Sequence, residues 1–134
     1  MSTTVSQVHI LVDDPDAALP FYRDALGLEV VADVANDGYR WVTLVAPDSP
    51  GIGVVLSQPA AGRSPENGEA LAALLAKGEL GPAHFRTADL ETTVARIAAT
   101  PGAEVVQEPA DQFWGVRDAA VRDPAGNFIR IEQA

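Results

Sequence analysis

The order strand, helix, strand, strand, strand occurs twice in this sequence, and that repetition limits the possible folds more than any other feature. Residues 5–12, VSQVHILV, read as a buried strand. Asp14-Pro15 then starts a helix, with the aspartate as cap and the proline at a first turn that needs no amide hydrogen. Ala18, Phe21, Tyr22 and Ala25 recur at helical spacing; Pro20 should bend this helix, and Gly27 ends it. Residues 28–34 and 39–45 read as strands joined by the hairpin turn Asn36-Asp37-Gly38. A turn over 47–51 leads to a fourth strand, 52–57. After a stretch rich in Pro, Ala and Gly, Ser64-Pro65-Glu66 opens a helix that Gly78 closes. The first order then returns. Residues 83–87 are a strand, and Asp89 caps a helix carrying Leu90, Val94, Ile97 and Ala98, stopped by Thr100-Pro101-Gly102. Strands follow at 103–107 and 116–121, and the turn DPAGN enters the last, 128–132.

The expected fold is therefore α+β. Two βαβββ modules, residues 1–58 and 81–134, flank a linker with a helix, 59–80, and together make one domain of mixed sheet curled around a cleft. The absence of cysteine in these 134 residues excludes disulfides, thiolate nucleophiles and zinc fingers. A net charge of -10 leaves no basic footprint for nucleic acid. No apolar run is long enough to span a membrane. The N-terminus lacks the basic and apolar regions of a signal peptide, so a cytoplasmic protein is expected. There is no G-x-S-x-G elbow, P-loop or H-E-x-x-H sequence.

Three segments carry a family resemblance. LVDDPDAALPFYRDALGLEVV (11–31) resembles the first-module signature of the vicinal oxygen chelate superfamily, and FRTADLETTVARI (85–97) and WGVRDAAVRDPAGNFIRI (114–131) resemble its second module. That superfamily includes glyoxalase I, bleomycin and fosfomycin resistance proteins, and extradiol dioxygenases. The resemblance implies paired modules around a cleft and, often, a homodimer. It also implies where a metal would sit, because metal-dependent members draw ligands from the first and last strand of each module. Anchored on Phe21-Tyr22, Asp89 and Asp123-Pro124, those positions fall on Gln7, Val55, Pro82 and Arg130. Gln7 can ligate. Val55 and Pro82 have no donor atom, and Arg130 is a permanent cation. The usual metal site is expected to be missing, and no cofactor is expected.

A shift of two residues keeps the same strand face and gives His9, His84 and Glu132, a set of the kind that binds a divalent metal. Geometry weighs against this alternative. Two residues are about 6.6 Å along a strand, and if a two-fold axis relates the modules their first strands run oppositely, so the shift moves His9 and His84 apart.

Alternation places Gln7, His9, Leu11, Trp41, Thr43, His84, Arg86, Phe128, Arg130 and Glu132 on the cleft face. Val8, Ile10, Val12, Val42, Leu44, Phe85, Ile129 and Ile131 should pack under the helices. Arg130 is read either as an ion-pair partner of Glu132 or another acidic group, or, with Arg86, as a grip on an anionic or carbonyl-bearing ligand. Phe113 and Trp114, in the segment ADQFWGVR, suit stacking on a flat ligand or packing at an interface. The reading is a glyoxalase- or bleomycin-resistance-like dimer that binds a small organic ligand through Gln7, His9, Trp41, His84, Arg86, Trp114, Phe128 and Arg130, rather than an enzyme. The alternatives are a metal-dependent lyase or dioxygenase, and a metal-free isomerase or hydrolase with His9 or His84 as base.

Overall fold

The computed structural model describes residues 2–134. The first module contains β1 (Gln7–Leu11), α1 (Pro15–Leu19) with a π-helical continuation Pro20–Ala25, β2 (Glu29–Asn36), β3 (Tyr39–Ala46) and β4 (Ser49–Ser57). A linking helix, α2 (Pro65–Ala76), precedes the second module: β5 (Ala83–Thr87), α3 (Leu90–Ala98), β6 (Glu104–Asp111), β7 (Arg117–Arg122) and β8 (Phe128–Gln133). Each module forms one four-stranded mixed sheet, in the orders β1-β4-β3-β2 and β5-β8-β7-β6. The first and last strands of a module run parallel, and its other pairs are antiparallel. The architecture is the α+β pair of βαβββ modules expected from the repeat.

Local chemistry explains the helix starts. The side chains of Asp14, Ser64 and Asp89 accept the amides of Asp16, Asn67 and Thr92, which satisfies first-turn donors that have no helical partner. The Thr92 bonds hold the Asp89 carboxyl below its usual pKa. Pro20 does more than bend its helix. It has no N–H to give the preceding turn, and it opens the π-helical segment, in which Leu26 donates to the Phe21 carbonyl at 3.0 Å, five residues back.

Two strands depart most from the sequence reading. β4 starts at Ser49, three residues before the expected 52. β6 extends to Asp111 rather than stopping at 107, with register shifts between Val105 and Gln107 and between Gln107 and Ala110. Pro109 lies in that irregular stretch, and β6 is an edge strand, where a residue without an amide hydrogen is tolerated.

One core serves both modules. Ile10, Val42, Leu44 and Leu56 from the first sheet, Phe21 and Tyr22, Leu90, Val94 and Ile97 from α3, and Ala119, Val121, Ile129 and Ile131 from the second sheet belong to a single buried cluster. The helix-covered faces of both sheets thus meet in it, and the opposite faces point away. Val8 is a correction: it is 49% exposed rather than packed under a helix. Ile10 and Val12 are buried farther along the same face, so the cover over the edge strand β1 ends before Val8.

Polar bonds bind the modules as well. The Tyr22 hydroxyl donates to Asp123 Oδ2 at 2.5 Å in the interior. Asp123 Oδ1 accepts the amides of Ala125, Gly126 and Asn127, which shapes the DPAGN turn. Asn127 Nδ2 bridges Asp123 Oδ2 and the Leu11 carbonyl. Gly126 is required there: its φ is +107°, and a Cβ would come 2.8 Å from the Leu75 carbonyl oxygen. Arg96 Nε donates to the Ala25 carbonyl, tying α3 to the end of the π-helical segment.

Burial, then the Asp123 charge and hydrogen bond, push the Tyr22 hydroxyl well above its ordinary pKa of 10.0. A raised folded-state pKa stabilises the fold fully below the unfolded value, and that contribution is lost as pH rises through the folded one. Urea unfolding should therefore show stability falling above about pH 10, with that limb flattened in Tyr22→Phe. At neutral pH the same variant should lose about 1.5–3 kcal/mol, the worth of a hydrogen bond to a charged group.

Candidate functional site

The faces turned away from the core carry the polar and aromatic residues singled out from the sequence. On the first sheet, Gln7 and His9 are exposed and Trp41 is half-buried. His9 Nδ1 lies 2.9 Å from Ser57 Oγ, and Ser57 is the register partner of both Leu11 and Trp41. On the second sheet, β8 lies between β5 and β7, so His84, Arg130 and Ala120 form one rung and Arg86, Glu132 and Asp118 the next. Arg86 is 3.2 Å from Glu132 Oε2, and His84 Nδ1 is 3.7 Å from Oε1.

Arg130 has a different partner from the first one expected. Its Nη1 donates to Asp118 Oδ2 at 3.0 Å, and Asp118 is 2% exposed. Glu132 is two residues along the same strand and is engaged by β5. Asp118 Oδ1 accepts from Gln112 Nε2 at 2.8 Å, which ties this pair to the loop between β6 and β7. That loop is a tight turn closed by Gln112 N–H to the Val116 carbonyl at 2.7 Å. It displays Phe113, 97% exposed, and Trp114, 51% exposed, packed edge to face. The Arg130 guanidinium lies 5.8 Å from the Trp114 ring centre and 5.5 Å from that of Phe128, within cation–π range. Asp118 and Gln112 were not picked out from the sequence. The signal was an aspartate sharing a strand face with Ala120, opposite a strand that presents an arginine.

The structure thus gathers His84, Arg86, Trp114, Phe128, Arg130 and Glu132 on one sheet and Gln7, His9 and Trp41 on the other. No side-chain hydrogen bond or ion pair among the described residues joins the two sets. One member of each set, His9 and Phe128, lines a shared cavity of ≈ 180 Å³ together with Leu11, Pro82, Ala83 and Asn127, among others. That is below the roughly 300–1,000 Å³ of sites for drug-sized ligands. A second cavity, ≈ 460 Å³, lies beside α2 at the Tyr39 end of β3, with Asp13, Gln58, Arg63 and Glu69 in its lining.

A family model described as the Glyoxalase/Bleomycin resistance protein/Dioxygenase superfamily matches residues 4–131. The chain belongs to this superfamily. Among curated proteins this superfamily member is similar to the uncharacterized protein YurT of Bacillus subtilis (strain 168), with 32% identity over 124 residues, 92% of this chain and 94% of that one. Among solved structures it resembles UcmS2, with a TM-score of 0.84 and 29% identity over 100% of both chains. It also resembles TnmS3, described as an antibiotic binding protein from Streptomyces sp. CB03234, with a TM-score of 0.72 and 25% identity over 98% of this chain and 96% of that one.

Metal-dependent members of the superfamily set a test for four positions. Gln7 is exposed on β1 and offers an amide oxygen. Val55 is apolar and 2% exposed. Pro82 follows Gly81 through a cis peptide bond just before β5. Arg130 brings a positive charge already held by Asp118. This donor set does not fit a divalent cation. The shifted set is not assembled within one chain either. His84 and Glu132 adjoin, but His9 is on the other sheet with Ser57. No group of three or more His, Cys, Asp or Glu able to hold a metal occurs among the described residues. No helix among them is long and apolar enough to cross a membrane.

Removing one partner of the Arg130–Asp118 pair strands the other. Arg130→Gln should destabilise the fold by about 2–3 kcal/mol, less than a fully buried pair because Arg130 keeps some exposure. The double variant Asp118→Asn/Arg130→Gln should regain part of that loss. Urea unfolding of the wild type, both single variants and the double variant measures the coupling directly.

Proposed function

We propose that this chain binds a flat, small organic molecule against the outer sheet faces and holds it without a metal at the four superfamily positions. Trp41, Trp114 and Phe128 supply stacking surface, while Gln7, His9, His84, Arg86 and Arg130 supply hydrogen bonds. The observation that carries this reading is the exposure of these groups: Trp114 is 51% exposed, and the His84 and Arg86 side chains are 52% and 70% exposed. Half-covered aromatics beside polar groups make a surface ready to be covered by a partner molecule. The likeness to TnmS3, an antibiotic binding protein, supports the same reading.

The ligand in this reading is enclosed by a second copy of the chain. Both outer faces point away from the shared core, and the cavity that His9 and Phe128 share is too small for a drug-sized molecule. A two-fold dimer that brings the first outer face of one chain against the second outer face of the other forms two equivalent clefts. The proposed role is binding rather than turnover.

The competing reading, a metal-dependent lyase or dioxygenase, rests on the 3.7 Å approach of His84 to Glu132. Elemental analysis of protein purified without chelator, repeated after titration with Fe(II), Mn(II), Ni(II) and Zn(II), separates the two. The expected result is no stoichiometric metal, a dimer in sedimentation equilibrium, and quenching of Trp114 fluorescence by planar aromatic compounds. About one metal per chain, lost in His84→Ala, would overturn the binding reading.

A further inference from the structure

On the second outer face, Arg130 is held as a hydrogen-bond donor whose charge is already cancelled. Asp118, 2% exposed, takes one Arg130 hydrogen bond at 3.0 Å and one from Gln112 at 2.8 Å, so both its oxygens are engaged. Among the described residues that bond to Asp118 is the one hydrogen bond the Arg130 side chain makes. Its remaining N–H groups lie on a side chain still 24% exposed. In the rung that contains Arg130, its β7 neighbour is Ala120, which offers the guanidinium no side-chain hydrogen-bond partner. Trp114 and Phe128 stand 5.8 and 5.5 Å from the guanidinium. Through Gln112, the loop that carries Trp114 is fastened to the same carboxylate.

We infer that Arg130 anchors the ligand by its carbonyl oxygen, and that the ligand class is a neutral aryl ketone. The inference rests on the binding role proposed above and narrows it. Three features select this class. The aromatic walls favour a flat ring. The remaining N–H groups require an acceptor, because a guanidinium can only donate. Full anions are disfavoured because Asp118 neutralises Arg130, Glu132 accompanies Arg86, and the chain as a whole carries -10. Asp118 and Gln112 are positioning residues, which aim the guanidinium and fix the Trp114 loop beside it.

Isothermal titration with fluorenone, fluorene and fluorene carboxylate tests this, since the three share a flat ring system and differ at one group. The wild type should bind fluorenone roughly tenfold tighter than fluorene, the worth of one hydrogen bond to a charged donor. Fluorene carboxylate should bind no better than fluorene. Arg130→Lys keeps a cation for Asp118, so the fold is retained, as circular dichroism would check. In that variant the ratio of fluorenone to fluorene affinity should shrink to about twofold, because an ammonium lacks the planar fork that reaches both Asp118 and the ligand. Equal binding of fluorenone and fluorene by the wild type, a full preference surviving in Arg130→Lys, or tightest binding of the carboxylate would each overturn the inference while leaving the binding role standing. Failure of the wild type to bind any of the three would overturn both.

Discussion

The hydrogen bond from Tyr22 to Asp123 joins residues a hundred positions apart in the chain, and much of the architecture hangs on it. Asp123 shapes the DPAGN turn by accepting three amides with one oxygen. With the other it accepts the Tyr22 hydroxyl and the Asn127 amide. Asn127 then reaches the Leu11 carbonyl. A turn in the second module, a helical segment in the first and the end of β1 are thereby set relative to one another. The π-helical widening after Pro20 belongs to the same assembly, since the segment it creates delivers Phe21 and Tyr22, both fully buried, to the shared core.

The signals that could be read from sequence were those carried by neighbouring residues. Asp14, Ser64 and Asp89 announced helix starts because a cap needs only its own next turn. Alternation assigned Ile129 and Ile131 to the core and Arg130 to the opposite face, since strand geometry is local. Where an outcome depends on what lies across a sheet, the sequence was silent or misleading. Val8 fits the buried face by alternation, yet helical cover does not extend that far along an edge strand. β6 runs through Pro109 because its outer side has no neighbour to receive an amide.

The candidate site shows the same division. Its residue types could be named from the repeat and the alternation, but their pairing could not. Glu132 was the obvious counter-ion for Arg130, being close in sequence on the same face. The side-chain contacts instead give Glu132 to Arg86 and His84, and Arg130 to Asp118, a diagonal neighbour on β7. Assigning that partner required the diagonal contact across β7 and β8, since the register itself sets Asp118 opposite Glu132.

The two modules repeat in backbone but not in chemistry. Val55 and Arg130 occupy matching rungs, since each is the register partner of a histidine on the parallel first strand of its module. One is an aliphatic side chain and the other a cation balanced by an acid. Any cleft built from one wall of each kind therefore has an acid-balanced cation at this rung on one side and none on the other. A lopsided guest can enter such a cleft in only one orientation, and in a two-fold pair the guests in the two clefts would point in opposite senses.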